Sequence, residues 1–338
     1  QELPQLQLHK YSKESFIDDL TYNFDFQFKN YERDEDINAT IYDFSVPLIY
    51  SKNILNDYMY FSIKNNTVFS KYVYDNSSLD HENGSLIQND TTIGIGSNLI
   101  KPYEKFLHTV SLDGTYTYPK LVHKKGDLYK VTSNESELSP FPVTQTDKNI
   151  TVKFDQSLFD KDDLREIINH SMTQTVIFDS FDEAKLDNLI NYTKISFING
   201  YISDKVTYNF RDSEFIENSF ALNYNINDLA FDFSYYSSKD TDNSNKEDLE
   251  SYTITTSYKF NRIYTLGYYT NYNLEEDMKS KEGFSFNINE SCWSFNVKLE
   301  NEYMPSSSDV NDQKTIYFEL QLKPLGGIKQ KYVKKDED

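Results

Sequence analysis

Apolar and polar residues alternate one by one through most of this chain, and that pattern restricts the fold more than any other feature. The runs Tyr22, Phe24, Phe26, Phe28; Tyr42, Phe44, Val46, Leu48, Tyr50; Phe284, Phe286, Ile288; and Ile316, Phe318, Leu320, Leu322 each skip one position at a time. A period of two is the period of a β-strand, whose successive side chains point to opposite faces. Between the apolar positions of the first run lie Asn23, Asp25, Gln27 and Lys29. One face of these strands is therefore apolar and the other wet.

Composition narrows what such strands can build. The chain of 338 residues holds 28 Tyr and 24 Phe, too many aromatics for a disordered polypeptide. Mean hydropathy is polar, as in a soluble protein. That average is blind to membrane strands, because only alternate residues need be apolar. No stretch has the roughly 20 apolar residues of a spanning helix. The formal net charge of -20 argues against a nucleic-acid partner, which needs a basic footprint.

About 16 strands are expected between residues 16 and 324, many of 10 to 14 residues. Globular strands average about 5 to 6 residues, whereas a membrane strand needs about 9 to 11 plus its wet ends. Short and long connections alternate along the chain, as do the periplasmic turns and outer loops of membrane barrels. The predicted fold is all-β, a transmembrane outer-membrane antiparallel β-barrel. Residues 1–15 are expected as a periplasmic entry segment, 16–324 as barrel and 325–338 as a charged periplasmic tail. Both ends then fall on the short-turn side.

Three segments are less regular. Residues 164–176 could begin a helix capped by Asp162 or Asp163, but a strand with a polar face fits better. The longest loop, 120–148, carries Pro140-Phe141-Pro142 and either folds inward, lies over the barrel mouth or stays on the surface. Pro47 interrupts a good alternating run, and a bulge near a strand end is expected there.

The wet face supplies the residues expected to line an aqueous lumen: Asp25, Lys29, Thr253, Thr255, Lys259, Asn287, Asn296 and Lys298. Cys292 falls on the same face at one end of its strand. It is either a small residue near a turn or a thiol within reach of a periplasmic partner segment. The histidines have no metal-ligand spacing, and there is no nucleotide loop, HExxH or nucleophile elbow. No enzyme activity, metal or cofactor is expected. Three functions remain: an outer-membrane lipid translocon, a 16-stranded porin-like diffusion channel, and a soluble β-sandwich binding module.

The closing text is more specific. Ser291-Cys292-Trp293-Ser294-Phe295, followed by Lys314-Thr315-Ile316-Tyr317-Phe318-Glu319-Leu320-Gln321-Leu322-Lys323-Pro324-Leu325-Gly326-Gly327, resembles the C-terminus of the lipopolysaccharide-assembly protein LptD family. The opening Leu3-Pro4-Gln5-Leu6 and the stretch around Asn169-His170-Ser171 resemble its epsilonproteobacterial versions. The resemblance implies the C-terminal part of a 26-strand barrel in the outer membrane of a Gram-negative bacterium, inserted by the barrel assembly machinery. It also implies lipopolysaccharide as cargo, a plug lipoprotein of the LptE type, and a periplasmic LptA-type bridge docking on an upstream jellyroll. Residues 312–323 would be the last strand, with Ile316, Phe318, Leu320 and Leu322 forming one side of a lateral gate. Cys292 would match the family's barrel-end cysteine, bonded to an upstream periplasmic segment.

Overall fold

A computed structural model describes residues 2–33, 37–75, 81–129, 138–143, 145–178, 183–239, 248–303 and 312–335. Eighteen strands in one sheet are found among them, joined by turns and loops. The first nine are β1 (Glu2–Glu14), β2 (Leu20–Tyr31), β3 (Asn38–Ile54), β4 (Met59–Asp75), β5 (Gly84–Pro102), β6 (Phe106–Lys125), β7 (Asn149–Asp160), β8 (Glu166–Phe178) and β9 (Ala184–Phe197). The others are β10 (Gly200–Asn209), β11 (Glu214–Ile226), β12 (Leu229–Ser238), β13 (Leu249–Lys259), β14 (Tyr264–Asn273), β15 (Met278–Asn289), β16 (Trp293–Glu302), β17 (Gln313–Leu322) and β18 (Gly326–Lys335). Consecutive strands pair antiparallel from β1 to β5 and from β9 to β18.

Several expectations are corrected. The strand count is eighteen, not sixteen, because both flanking segments are strands. Residues 1–15, expected as an entry segment, contain β1, and the 325–338 tail contains β18. Each added strand carries its outer end, Glu2 or Lys335, to the long-loop side of its hairpin. One reading is kept: Glu166–Phe178 is strand, as preferred over a helix. No bulge breaks the β3–β4 ladder at Pro47, which pairs with Asn66 in unchanged register. Pairing with β2 skips Val46 and Pro47, resuming at Asp25↔Ser45, as a residue without an N–H requires.

The connections keep the expected asymmetry only in part: 210–213 and 274–277, after even-numbered strands, have four residues each, and the second was expected among the long loops. Those following odd-numbered strands are short, the longest being 15–19 and 161–165, whereas 126–148 joins β6 to β7. The turns are built by residues that tolerate positive φ, as at Asn56, Asp57, Asn227 and Asp277.

The chain divides into two compact units. One comprises Gln1–Ile100, Val110–Phe154 and Thr173–Asp187; the other comprises Lys101–Thr109, Asp155–Met172 and Asn188–Asp338. In both, burial is the reverse of that in a water-soluble sheet. In the second unit the apolar face is open, with Phe284 53% and Leu299 48% exposed, while Glu300 and Thr315 on the polar face are 5% and 3% exposed. In the first unit Ile93 and Ile95 are exposed while Gln88 and Asp90 are buried. Strands of 10 to 20 residues at about 3.3 Å per residue are long enough to carry an apolar band about 25 Å tall. Length, antiparallel pairing and inverted burial together place the chain in the transmembrane β-barrel class.

Candidate functional site

The polar face of β14–β17 is organised around one carboxylate. Register places Gly283 opposite Glu300, and Glu300 opposite Thr315, so Glu300 lies in the middle of three paired strands. Lys298 Nζ lies 2.6 Å from Glu300 Oε2 and Lys281 Nζ 3.1 Å from Oε1. The Tyr269 hydroxyl donates a third hydrogen bond to it. Gly283 makes room for this: a Cβ there would run into the Tyr269 ring. Lys298 also sits 4.6 Å from the Tyr269 ring centroid, a cation–π contact that holds its ammonium over the strand surface. A carboxylate so sheltered is tolerable because its charge is paired and its oxygens are hydrogen-bonded.

The lumen-facing residues expected in this unit share that face. Thr253 accepts a hydrogen bond from Asn271 Nδ2 at 2.7 Å, and Thr255 stands opposite Asp232 and Tyr269. Lys259, Asn287 and Asn296 line one recess near the short turns, and Lys298 belongs to the Glu300 cluster. Glu300 is the sheltered charge that a list of wet-face residues understates. Nothing in a two-residue period distinguishes it from Glu302 or Glu319.

In the first unit, Asp25 and Lys29 line a second recess with Asp43, Asn66 and Phe141. Asp25 accepts from Gln7 at 2.9 Å and from Gln27 at 3.0 Å, and lies 3.1 Å from His9 Nδ1. Of the three alternatives for the β6–β7 loop, its described residues 138–143 take the inward one, folding onto this polar face. Leu138, Phe141 and Val143 pack with Ile37, Ala39, Ile41, Tyr72 and Leu86 in a buried apolar cluster. Ile41 and Ala39 stand opposite Lys29 and Tyr31, so the cluster occupies the wet side of the sheet. Thr146 ties the loop to Asp90 at 2.8 Å.

Two candidates at the C-terminal end are placed differently from their prediction. Residues 312–323 are not the last strand, since β18 follows and pairs with β17 from Gln313↔Lys335 to Leu322↔Gly326. Ile316, Phe318, Leu320 and Leu322 also face Leu299, Val297, Phe295 and Trp293 across β16. With both edges laddered, β17 is no free gate edge. Cys292 lies just outside β16, exposed in the turn 290–292, with its carbonyl accepting from Lys323 N at 2.8 Å.

No protein-family model matches this chain, and no curated protein matches it. Among solved structures it is similar to the copper transporter OprC, with a TM-score of 0.46 and 9% identity over 97% of this chain and 64% of that one. The siderophore receptor PirA from Acinetobacter baumannii gives a TM-score of 0.46 at 7% identity, over 93% of this chain and 63% of that one. A mutant Rh. blastica porin gives 0.36 at 9% identity, over 74% of this chain and 86% of that one. The chain thus spans slightly under two thirds of the length of the first two.

Proposed function

We propose that this chain is a wall of an outer-membrane transport barrel and that it serves lipopolysaccharide assembly. The observation that carries the membrane reading is the inverted burial: rings and aliphatic chains open outward, carboxylates and amides sheltered within. A soluble β-sandwich would bury Phe284 and Leu299 and expose Glu300. Lipid offers no hydrogen bonds to a backbone, so strands can span it only when laddered to neighbours, as β9–β18 are.

The assembly reading rests on the closing text, residues 291–295 and 314–327, with its resemblance to the LptD family. In that reading lipopolysaccharide sugars move along the polar face, acyl chains stay on the lipid side, and the push comes from a periplasmic LptA-type bridge. An LptE-like lipoprotein would occupy the interior, the barrel assembly machinery would insert the wall, and Cys292 would bond an upstream periplasmic thiol. The lateral gate would lie at an edge other than β17. A porin-like channel is the second reading, favoured by the loop docked through Phe141, which narrows the space beside Asp25 and Lys29.

Two experiments test the membrane reading and then separate assembly from channel. Phe284→Arg puts a charge on the apolar face. In a bilayer it should cost about 2–4 kcal/mol of folding free energy into lipid vesicles, whereas on a water-exposed sheet the cost would be near zero. A photo-reactive residue at Thr255, in the full polypeptide expressed in a Gram-negative cell, should give lipopolysaccharide adducts. Absence of adducts together with steady ion conductance in a planar bilayer would overturn assembly in favour of the channel.

A further inference from the structure

We infer that the recess at the short-turn end of β13–β16 is a binding site for a phosphorylated sugar; the inference deepens the assembly reading and rests on its polar interior. A straight cross-strand row crosses four strands here: Lys259 opposite Thr265, Thr265 opposite Asn287, and Asn287 opposite Asn296. Arg262, in the turn between β13 and β14, closes the row from below, and the recess of about 560 Å³ is roomy enough for a monosaccharide phosphate.

Two features mark it as a site and not just a wet wall. On the same face Lys205, Lys281, Lys298 and Lys329 each lie within ion-pair distance of a glutamate, and Lys194 and Lys331 lie over tyrosine rings. Lys259 and Arg262 have neither an ion-pair carboxylate nor such a ring among the described residues, in a chain with a net charge of -20. Unpaired cations at a recess in so acidic a chain favour an anion. The second feature is Asn296, whose Oδ1 is shielded from solvent and has no hydrogen-bond partner. A buried acceptor left unmade is costly, and turning the carboxamide toward the recess would let a ligand hydroxyl satisfy it.

The chemistry follows from the row. A phosphate needs charged donors, which Lys259 and the forked Arg262 guanidinium provide. Sugar hydroxyls need both donors and acceptors, which carboxamides provide in one group. The Asn261 side-chain Oδ1 accepts from the backbone N–H groups of Ile263 and Tyr264, so its Nδ2 is left to donate. Asp228, also on the rim, offers acceptors for further hydroxyls. An inorganic anion would use only the cationic end, and a neutral sugar only the amide end.

The test is titration of the full chain, folded in detergent micelles, with glucose 6-phosphate, glucose and inorganic phosphate, followed by calorimetry or NMR. Glucose 6-phosphate should bind at least about tenfold more tightly than either of the others. Lys259→Gln with Arg262→Gln should remove that advantage. Asn296→Ala should weaken glucose 6-phosphate a few-fold and leave phosphate unchanged. Heat-modifiable migration on gels confirms that each variant is folded. Equal binding of phosphate and glucose 6-phosphate, or affinity unmoved by the double variant, would overturn the inference. Lipopolysaccharide adducts at Thr255 persisting in that case would leave the assembly reading standing without this site.

Discussion

The polar face is held in two different ways in the two compact units. In the first, a loop brings Leu138, Phe141 and Val143 onto Ile41, Tyr72 and Leu86 and forms a dry patch on a wet wall. In the second, the same side of the sheet is tied by ions: Glu300 between Lys281 and Lys298, Glu217 with Lys205. The difference shows what each arrangement needs. Apolar contacts stabilise a wet face only where a second layer of chain excludes water, because their strength follows the area removed from solvent. Ion pairs need no cover, but each contributes little unless it is sheltered.

The largest effect is therefore expected in the dry patch. Phe141 is 1% exposed and packs edge-on against the Tyr31 ring, with centroids 5.3 Å apart. Phe141→Ala should cost about 3–5 kcal/mol of loop docking, the transfer of a ring plus the cavity left behind. Limited proteolysis of the folded chain should then cut within 126–148 while the strands stay intact. Unchanged resistance would mean that the loop is held by polar ties such as Thr146 to Asp90, and the contrast between the units would collapse.

Glu300→Gln comes next. It leaves Lys281 and Lys298 without their shared carboxylate at a position that is 5% exposed. Both lysines are more than a third exposed and Lys281 keeps Glu302 at 3.7 Å, so the loss in chemical unfolding should be about 1–2 kcal/mol. The Tyr269 hydroxyl keeps an acceptor in the new carboxamide, so Tyr269→Phe added to Glu300→Gln should cost less than it does alone. Additive losses would show that the cluster is a set of separate pairs.

Much of this was legible in the sequence, and for one reason: a period of two assigns faces without needing a partner. Thr253, Thr255, Lys259, Asn287, Asn296 and Lys298 fall on the face the alternation gave them. The ends of the sheet were harder. β1 starts with apolar alternation at Leu6 and Leu8 but then places Lys10 on the apolar side, its ammonium 4.4 Å from the Tyr22 ring centroid. β18 hides its period under Lys329, Lys331, Lys334 and Lys335. The dry patch was not legible, because Ile37, Tyr72, Leu86 and Phe141 are far apart in sequence and meet only once the ladders form. Arg262 was missed because a turn residue has no face to assign.

The smallest effect sharpens the comparison most. Lys329 and Glu319 pair at 2.9 Å on the same polar face as Glu300, but Lys329 is almost fully open to solvent. Screening and the entropy of holding a long side chain should leave Lys329→Ala below about 1 kcal/mol, and smaller still at high salt. Unfolding of the micellar chain at low and high salt measures both. If the loss matched that of Glu300→Gln, shelter would not be what separates the two pairs. If it is small, β18 is held by its ten-residue backbone ladder to β17, from Gln313↔Lys335 to Leu322↔Gly326.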